Sequence, residues 1–370
     1  MRSLASGSAA RFVILATREA DQVQKDDLSS TASAVVDWSA VVDLAISNGV
    51  TAYVRRALAT IAEPVPADAV EMLRHADLAA VAVALSLDAE LRRVVDELDR
   101  RGIQSIVLKG PVVARTLYPD RALRPYGDID LVVRLSMFEA AARSLIGLGF
   151  REVPYEAEIA RIAFAEAGGE EPFHRMFVDR AQRSLVELHA DPLQLGLVPA
   201  VEEDRWRRAL RFPDLGPHAL ALAGEDQVVQ LAVHVHKHGF SRLIWLKDLD
   251  LLVRKQATTL DWYLVASIAR REGVAASVWF ALSLARDLLG CPETPARALA
   301  PAPPIRALYE LIWPRRRIAR LDMTMRRRAV QFHAAESWRG MLPTVLLMGR
   351  RRERIRLLLR SFRAPRPRGG

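Results

Sequence analysis

The sequence predicts an α+β protein in which a small mixed β-sheet lies between helical segments on both sides. Before residue 103 and after residue 192, apolar residues recur at intervals of three and four, which is typical of helices with one buried face. Between these segments, short apolar or alternating runs are separated by glycine and proline, which is typical of strands. We therefore expect five regions: a loose amino-terminal segment at 1–30, a helical region at 31–102, a sheet core at 103–192, a carboxy-terminal helical domain at 193–345 and a basic tail at 346–370.

The composition is that of an ordinary globular protein, with 51% apolar and 26% charged residues among 370. A single cysteine, Cys291, excludes an internal disulfide framework and a cysteine-based zinc site. The longest apolar runs are shorter than the ~18 residues that a membrane span needs, and the amino end lacks the apolar region of a signal sequence. We therefore predict a cytoplasmic protein without a membrane span.

The net charge of +9 permits a nucleic-acid partner. Arginine supplies most of the positive charge, and many of these arginines lie in the tail. Proteins that bind single-stranded nucleic acid interleave basic residues with stacking aromatic rings, whereas the sequence beyond Trp338 offers Phe362 alone. Nucleic-acid binding through the tail is therefore an alternative that the sequence does not favour over a solvated basic end.

In the helical region, prolines interrupt the helical spacing of apolar residues. From Trp38 onward, apolar residues repeat at helical spacing until Pro64 and Pro66 break the run. Two amphipathic helices are then predicted, at Ala67–Leu85 and Ser86–Arg101. They lead the chain into the sheet core.

The sheet core opens with a strand that turns directly into a helix. Ile106–Leu108 is an apolar run, and it is followed by Lys109, Gly110 and Pro111, with the proline at a position that suits the first turn of a helix. Backbone N–H groups at such a turn attract anions, and Lys109 adds a full charge. We interpret Lys109 and Gly110 as a phosphate-binding turn; the alternative is a strand-end lysine that reaches solvent.

Two carboxylates follow at Asp128 and Asp130, at the start of a second predicted strand. Residues two apart in a strand share a face, so both side chains project together. Paired carboxylates are typical ligands of Mg²⁺ in phosphoryl and nucleotidyl transfer. The alternative is that these acids pair with Arg115, Arg121 or Arg124. Arg124 is also a candidate for contacting a phosphate or for bracing Asp128.

A third candidate carboxylate lies in a predicted hairpin. Arg175–Asp179 and Ser184–Ala190 read as its two strands. In the second strand, Glu187 and His189 share one face, opposite to Val186. A carboxylate among apolar strand residues is costly unless a cation accompanies it. We therefore expect Glu187 beside Asp128 and Asp130, as a metal ligand or as a base.

From residue 225 the chain becomes helical again, with three histidines at His234, His236 and His238. His234 and His238 are four residues apart and therefore share a helical face. No glutamate follows His234 as it does in the zinc-protease helix motif. Metal binding, contact with a substrate or phosphate, and structural hydrogen bonding all remain open for these side chains.

These motifs resemble those of the uncharacterised nucleotidyltransferase family, within the DNA polymerase β-like superfamily. The similarity extends, more weakly, from about Trp38 to about Leu252. The present chain has Lys109-Gly110 where many superfamily members have Gly-Ser or Gly-Gly. The segments that carry the resemblance are Leu108-Lys109-Gly110, Tyr118-Pro119-Asp120, Arg124-Pro125, Asp128-Ile129-Asp130, Glu187-Leu188-His189, and the block of His234, Lys237, His238 and Trp245.

The resemblance implies an Mg²⁺- or Mn²⁺-dependent enzyme that moves a nucleoside monophosphate from an NTP to an acceptor, with release of pyrophosphate. The acceptor is a small molecule, a peptide, a protein or an RNA. A nucleotide-binding protein of the same fold that has lost transfer is the alternative. The implied residues are Asp128, Asp130 and Glu187 for catalysis and metal binding, Lys109, Gly110 and Arg124 for the nucleotide phosphates, and His189, His234, Lys237 and His238 for substrate contacts.

Overall fold

The computed structural model describes residues 2–19, 25–153, 174–193, 202–217 and 219–321. A seven-stranded mixed sheet is flanked by helices that precede and follow it in the chain, which confirms the predicted α+β class. The predicted basic tail at 346–370 lies outside the described residues. Within the described ranges, no helix is both long and apolar enough to cross a membrane. The helices before the sheet are α1 (Arg2–Thr17), α2 (Lys25–Ser33), α3 (Trp38–Asn48), α4 (Thr51–Leu58) and α5 (Ala67–Arg100).

The amino-terminal segment differs from the loose structure expected over residues 1–30. Most of residues 2–17 form α1, and its Phe12 and Val13 are fully buried. The Phe12 ring meets the Trp38 ring edge to face, with the ring centroids 5.4 Å apart. The Ser/Ala-rich composition suggested disorder, but the short apolar run at Phe12–Ala16 supplies enough buried surface to dock the helix.

Helix α5 is a single helix of 34 residues rather than the two helices predicted on either side of Ser86. Its first half buries Leu73 in the large helical core, and its second half buries Leu87 and Leu91 against the sheet. Serine is only mildly unfavourable inside a helix, so burial at both ends outweighs it. The helix therefore ties the helical core to the sheet.

The strands of the sheet are β1 (Ser105–Val107), β2 (Ile129–Val133), β3 (Arg151–Val153), β4 (His174–Val178), β5 (Leu185–His189), β6 (Leu210–Arg211) and β7 (Leu220–Ala221). Their order in the sheet is β3-β4-β5-β2-β1-β7-β6. Strand β2 pairs antiparallel with β1 and parallel with β5, and β1 pairs parallel with β7. Strands β6 and β7 come from beyond residue 193, so the sheet reaches into the segment expected to be purely helical.

The two faces of the sheet have different chemistry. On one face, Ile129, Leu131 and Val133 of β2 pack under α5 and α7 (Phe138–Gly147) in an apolar core. Strand alternation turns Asp130 to the opposite face. This opposite face carries the polar residues that form the candidate site.

The helices after the sheet pack with α1–α4 into one large apolar core. The remaining helices are α6 (Gly110–Thr116), α8 (Glu202–Arg208), α9 (Gly224–Lys237), α10 (Leu243–Gln256), α11 (Trp262–Arg271), α12 (Ala275–Leu289), α13 (Pro303–Ile312) and α14 (Arg315–Ile318). Helix α9 lies at the centre of this core and is buried along most of its length, between α10, α11 and α12. The end of α9 also reaches the polar face of the sheet.

Candidate active site

A cavity of about 690 Å³ lies between the polar face of the sheet, the end of α9 and the middle of α5. Apolar side chains of α3, α5 and α10, such as Ile46, Val83 and Ile244, form part of its wall. Polar side chains from the sheet and from α9 form another part. The predicted site residues that line it are Lys109, Gly110, Arg124, Asp128, Glu187, His234, Lys237 and His238.

The turn between β1 and α6 is held in an unusual backbone conformation. Lys109 has φ 50° and ψ −122°, which costs a non-glycine residue of order 1–3 kcal/mol. Gly110 must be a glycine because an added Cβ would lie 2.5 Å from Cβ of Tyr126. This conformation accompanies a buried Lys109 side chain, whose Nζ lies 2.8 Å from Oδ1 of Asp130.

The two aspartates differ in electrostatics although both project toward the same face. Burial, reinforced by the charge of Asp130, raises the pKa of Asp128 to about 6. Burial also opposes the charge on Asp130, but the Lys109 ammonium and a hydrogen bond with His189 outweigh it and hold the pKa of Asp130 at about 2. Among the described residues, Asp128 makes no hydrogen bond or salt bridge through its carboxylate. Asp130 is therefore neutralised within the protein, whereas Asp128 carries charge that a bound cation could neutralise.

The arginines considered as partners for these acids contact other carboxylates. Arg115 pairs with Asp88, and Arg121 lies near Asp214. Arg124 pairs with a carboxylate of α10, as described below. Among the described residues, none of these arginines therefore forms an ion pair with Asp128 or Asp130, and the predicted alternative of such pairs is wrong. The more distant charge of Arg124 still acts to lower the pKa of Asp128.

Glu187 lies beside Asp130 because β2 and β5 run parallel with these two residues in register. The Nε2 atom of His189 is 3.2 Å from Oδ1 of Asp130 and 3.5 Å from Oε2 of Glu187. Oε2 of Glu187 is also 3.3 Å from Nε2 of His174. Burial opposes the Glu187 charge, but the two imidazoles hold its pKa well below the ordinary range. Asp128, Glu187 and His174 therefore line one corner of the cavity, whereas the predicted site residues Asp130 and His189 do not line it and lie buried directly beside this corner.

His174 is the site residue that the sequence reasoning missed. It is the first residue of β4 and lies opposite His189 in the antiparallel pair of β4 and β5. The predicted strand began one residue later, at Arg175. Counting the hairpin register outward from the turn would have placed position 174 opposite position 189, on the face of Glu187.

Arg124 lines the cavity, but its guanidinium binds α10 rather than Asp128. Its Nε and one Nη donate to the two carboxylate oxygens of Asp248, at 2.6 and 2.7 Å. The Tyr118 hydroxyl donates to the same carboxylate at 2.6 Å. The expectation that Arg124 braces Asp128 is therefore wrong, because tertiary packing provides a bidentate partner that local sequence does not show.

The end of α9 contributes three side chains to the cavity. Burial and the Lys109 charge lower the pKa of Lys237 to about 8, and burial and the Lys237 charge lower the pKa of His238 to about 3. The His234 ring packs edge to face on Trp245, with the centroids 4.7 Å apart. The charge of Lys109 thus acts on Lys237, and two ammonium groups this close favour an anionic ligand between them.

His236 points away from this cavity into the helical core. Its Nδ1 atom lies 2.8 Å from Oγ of Ser277, and its ring packs on Tyr309 and Trp313. Of the three interpretations left open for the histidines, structural hydrogen bonding describes His236.

Comparison with known proteins identifies one family. The model of a family described as "Uncharacterised nucleotidyltransferase" matches residues 34–290, which is well over half of the chain. A search of curated proteins finds no significant match.

Proposed function

This chain belongs to the uncharacterised nucleotidyltransferase family, and we propose that it moves a nucleoside monophosphate from an NTP to an acceptor, with release of pyrophosphate. The observation that carries the proposal is that Asp128, Glu187, Lys109 and Lys237 line one cavity, with Asp130 buried beside Lys109 and Glu187. Carboxylates that bind a metal ion, next to cations that bind phosphates, are the parts that this reaction needs.

The carboxylates fit a divalent cation by their chemistry. Mg²⁺ and Mn²⁺ prefer hard oxygen ligands. The raised pKa of Asp128, caused first by burial and next by Asp130, indicates negative charge that the surrounding protein leaves incompletely neutralised. Asp128 and Asp130 would hold the ion, with Glu187 as a further ligand or as the base. When bound, such an ion polarises the phosphates and stabilises the charge that develops on them.

The protein's own side chains bind and orient the substrates. Lys109 and Lys237 face the same part of the cavity and would contact the triphosphate, with His234 and His238 beside them. The apolar wall formed by residues such as Val83 and Trp245 would hold the base or the acceptor. Glu187, in its role as base, would accept the proton of the acceptor hydroxyl. In-line attack on the α-phosphate then follows from positioning and charge neutralisation.

Nucleotide binding without transfer is the second candidate, and one contact favours it. The Lys109 ammonium lies on Asp130 at 2.8 Å, where it competes with a metal ion for the carboxylate. The third candidate, a nucleic-acid-binding module led by the tail, concerns residues outside the described ranges.

The decisive experiment incubates the full chain with each labelled NTP and Mg²⁺ or Mn²⁺, then measures pyrophosphate release and label on the protein or on extract components. The variant Asp128→Asn should abolish the signal. Asp43→Asn, which changes an exposed aspartate on α3, is the matched control and should retain it. Nucleotide binding without pyrophosphate release would support the second candidate, and absence of both would contradict the proposal.

A further inference from the structure

We propose that His174, Glu187 and His189 form a separate site for a first-row transition-metal dication that imidazole nitrogen favours, such as Zn²⁺. The inference deepens the proposed function, on which it rests only for the claim that this metal ion neighbours a nucleotide. Two roles were proposed above for Glu187, metal ligand and base. The present proposal assigns Glu187 the role of ligand.

The distances between the candidate ligand atoms match those around a bound metal ion. One ligand atom from each of the three residues can be chosen so that all three lie within 4.8 Å of one another. Oε2 of Glu187 lies 3.3 Å from Nε2 of His174 and 3.5 Å from Nε2 of His189. Ligands about 2.1 Å from a tetrahedral zinc ion are separated by about 3.4 Å. Both measured separations therefore match the edges of such a coordination sphere.

The donor atoms of these three side chains favour zinc over Mg²⁺. Mg²⁺ takes oxygen ligands, whereas imidazole nitrogen favours zinc and other transition metals. Two histidines with one carboxylate form a known zinc-binding set, which leaves a further position for water or substrate. His174 and Glu187 both line the cavity, so this open position would face the nucleotide.

The sheet fixes the backbone positions of the three ligands. Pairing of β4 with β5 sets His174 directly opposite His189, two residues from Glu187. The two rings are nearly parallel, with 4.4 Å between their centroids, and an imidazole nitrogen binds a metal ion in the plane of its ring, so one ring must turn for both to reach one ion. His189 is 1% exposed and has little freedom to turn, so the partly exposed His174 would turn. Strand pairing limits the reorganisation to this one side chain, which lowers the cost of binding a metal ion.

Negative charge around the three residues also favours a cation. Asp130 lies 3.2 Å from His189 Nε2 and Asp128 lies near it, so three carboxylates lie close to Lys109. A second dication beside Asp130 would lower this negative charge further. Sites with two neighbouring metal ions are common in phosphoryl chemistry.

The test uses the full chain after removal of metal ions with EDTA. Co²⁺ is titrated while its visible absorption, which reports imidazole coordination, is recorded, and Zn²⁺ is then added to displace it. We expect one equivalent of Co²⁺ to bind, with affinity at least about tenfold weaker in His174→Ala. His75→Ala, which removes an exposed histidine of α5, is the matched control and should bind like the wild type.

Two further variants keep the outcome unambiguous. His174→Gln preserves the size and polarity of the strand position and should lose Co²⁺ as His174→Ala does, with folding verified by circular dichroism. Asp128→Asn should retain Co²⁺ even if it loses Mg²⁺-dependent nucleotide binding, so failure of the proposed function is distinguishable from failure of this site. Equal Co²⁺ affinity in wild type and both His174 variants, or no saturable binding by the wild type, would overturn the inference.

Discussion

The chain contains two Asp-x-Asp motifs whose carboxylates have opposite surroundings. Asp128 and Asp130 lie at the start of strand β2 and project to the same face of the sheet, toward the cavity and its lysines. Asp248 and Asp250 lie in helix α10, where residues two apart point in different directions. Both helical carboxylates accept hydrogen bonds from other side chains. Asp248 accepts from Arg124 and Tyr118, and Asp250 accepts from Lys247 and Arg254.

The secondary structure that carries each Asp-x-Asp motif therefore decides its chemistry. In the helix, each carboxylate finds its own cation, and the motif stabilises packing between α10 and the rest of the core. In the strand, two acids share one small volume with Glu187, so their negative charge accumulates. Accumulated charge costs stability but creates a site for a metal ion.

The largest expected loss in the free energy of unfolding comes from a substitution in the helical motif. Asp248→Asn leaves the guanidinium of Arg124, which is 5% exposed, without its bidentate partner. Removing one partner of a buried ion pair typically costs about 3–5 kcal/mol. We expect the free energy of unfolding, measured by urea denaturation, to fall by about this amount. A loss comparable to that of the exposed control Asp43→Asn would mean that the helical motif does not stabilise the fold.

A smaller loss is expected for Asp130→Asn. The change removes the carboxylate that lies 2.8 Å from the buried Lys109 ammonium, but Asp128 and Glu187 still attract this cation. We expect the free energy of unfolding to fall by about 1–3 kcal/mol, less than in Asp248→Asn. The pKa of Asp130 is held low by Lys109 and His189 against the effect of burial, so the stabilising contribution is present at neutral pH and is lost as the pH falls toward about 2. A drop as large as that of Asp248→Asn would show that Lys109 depends on Asp130 alone.

The smallest effect, and one of opposite sign, is expected for Asp128→Asn. Burial and Asp130 raise the pKa of Asp128 from 3.8 to about 6, so the wild type loses stability as the pH rises from about 3.8 to about 6, where the unfolded carboxyl ionises before the folded one. The asparagine variant should therefore nearly match the wild type near pH 4 and have a higher Tm near pH 8, by a few degrees. Tm values of metal-free protein at the two pH values test this. A variant that is less stable than the wild type near pH 8 would place Asp128 among the structural acids.

The sequence was sufficient for features that depend on local periodicity. Strand alternation put Asp130 and Glu187 on one face together with Asp128, and helical spacing put His234 and His238 on one side of the chain at the end of a helix. Contacts between distant segments were not predictable, because they depend on tertiary packing. The bond of Arg124 to Asp248 joins residues 124 positions apart, and only the β4–β5 register reveals His174.

The sequence also left the turn at Lys109 only partly explained. The lysine was predicted to serve an anion, and it does line the cavity, but the structure directs its ammonium to Asp130. No local pattern specifies a positive φ at a lysine, since most side chains avoid that conformation. The strain at this turn is visible only once the strand, the helix and Tyr126 are packed together.

The most direct test of the central claim is calorimetric titration of a non-hydrolysable NTP analogue, with Mg²⁺ present, into the wild type, Asp128→Asn and Asp43→Asn. The account predicts saturable, Mg²⁺-dependent binding by the wild type and by Asp43→Asn. It predicts at least about a tenfold loss in Asp128→Asn, which corresponds to about 1.4 kcal/mol, in a variant that remains folded. Equal affinity in Asp128→Asn and wild type, or binding that does not depend on Mg²⁺, would contradict the claim that the strand motif holds the metal ion and nucleotide.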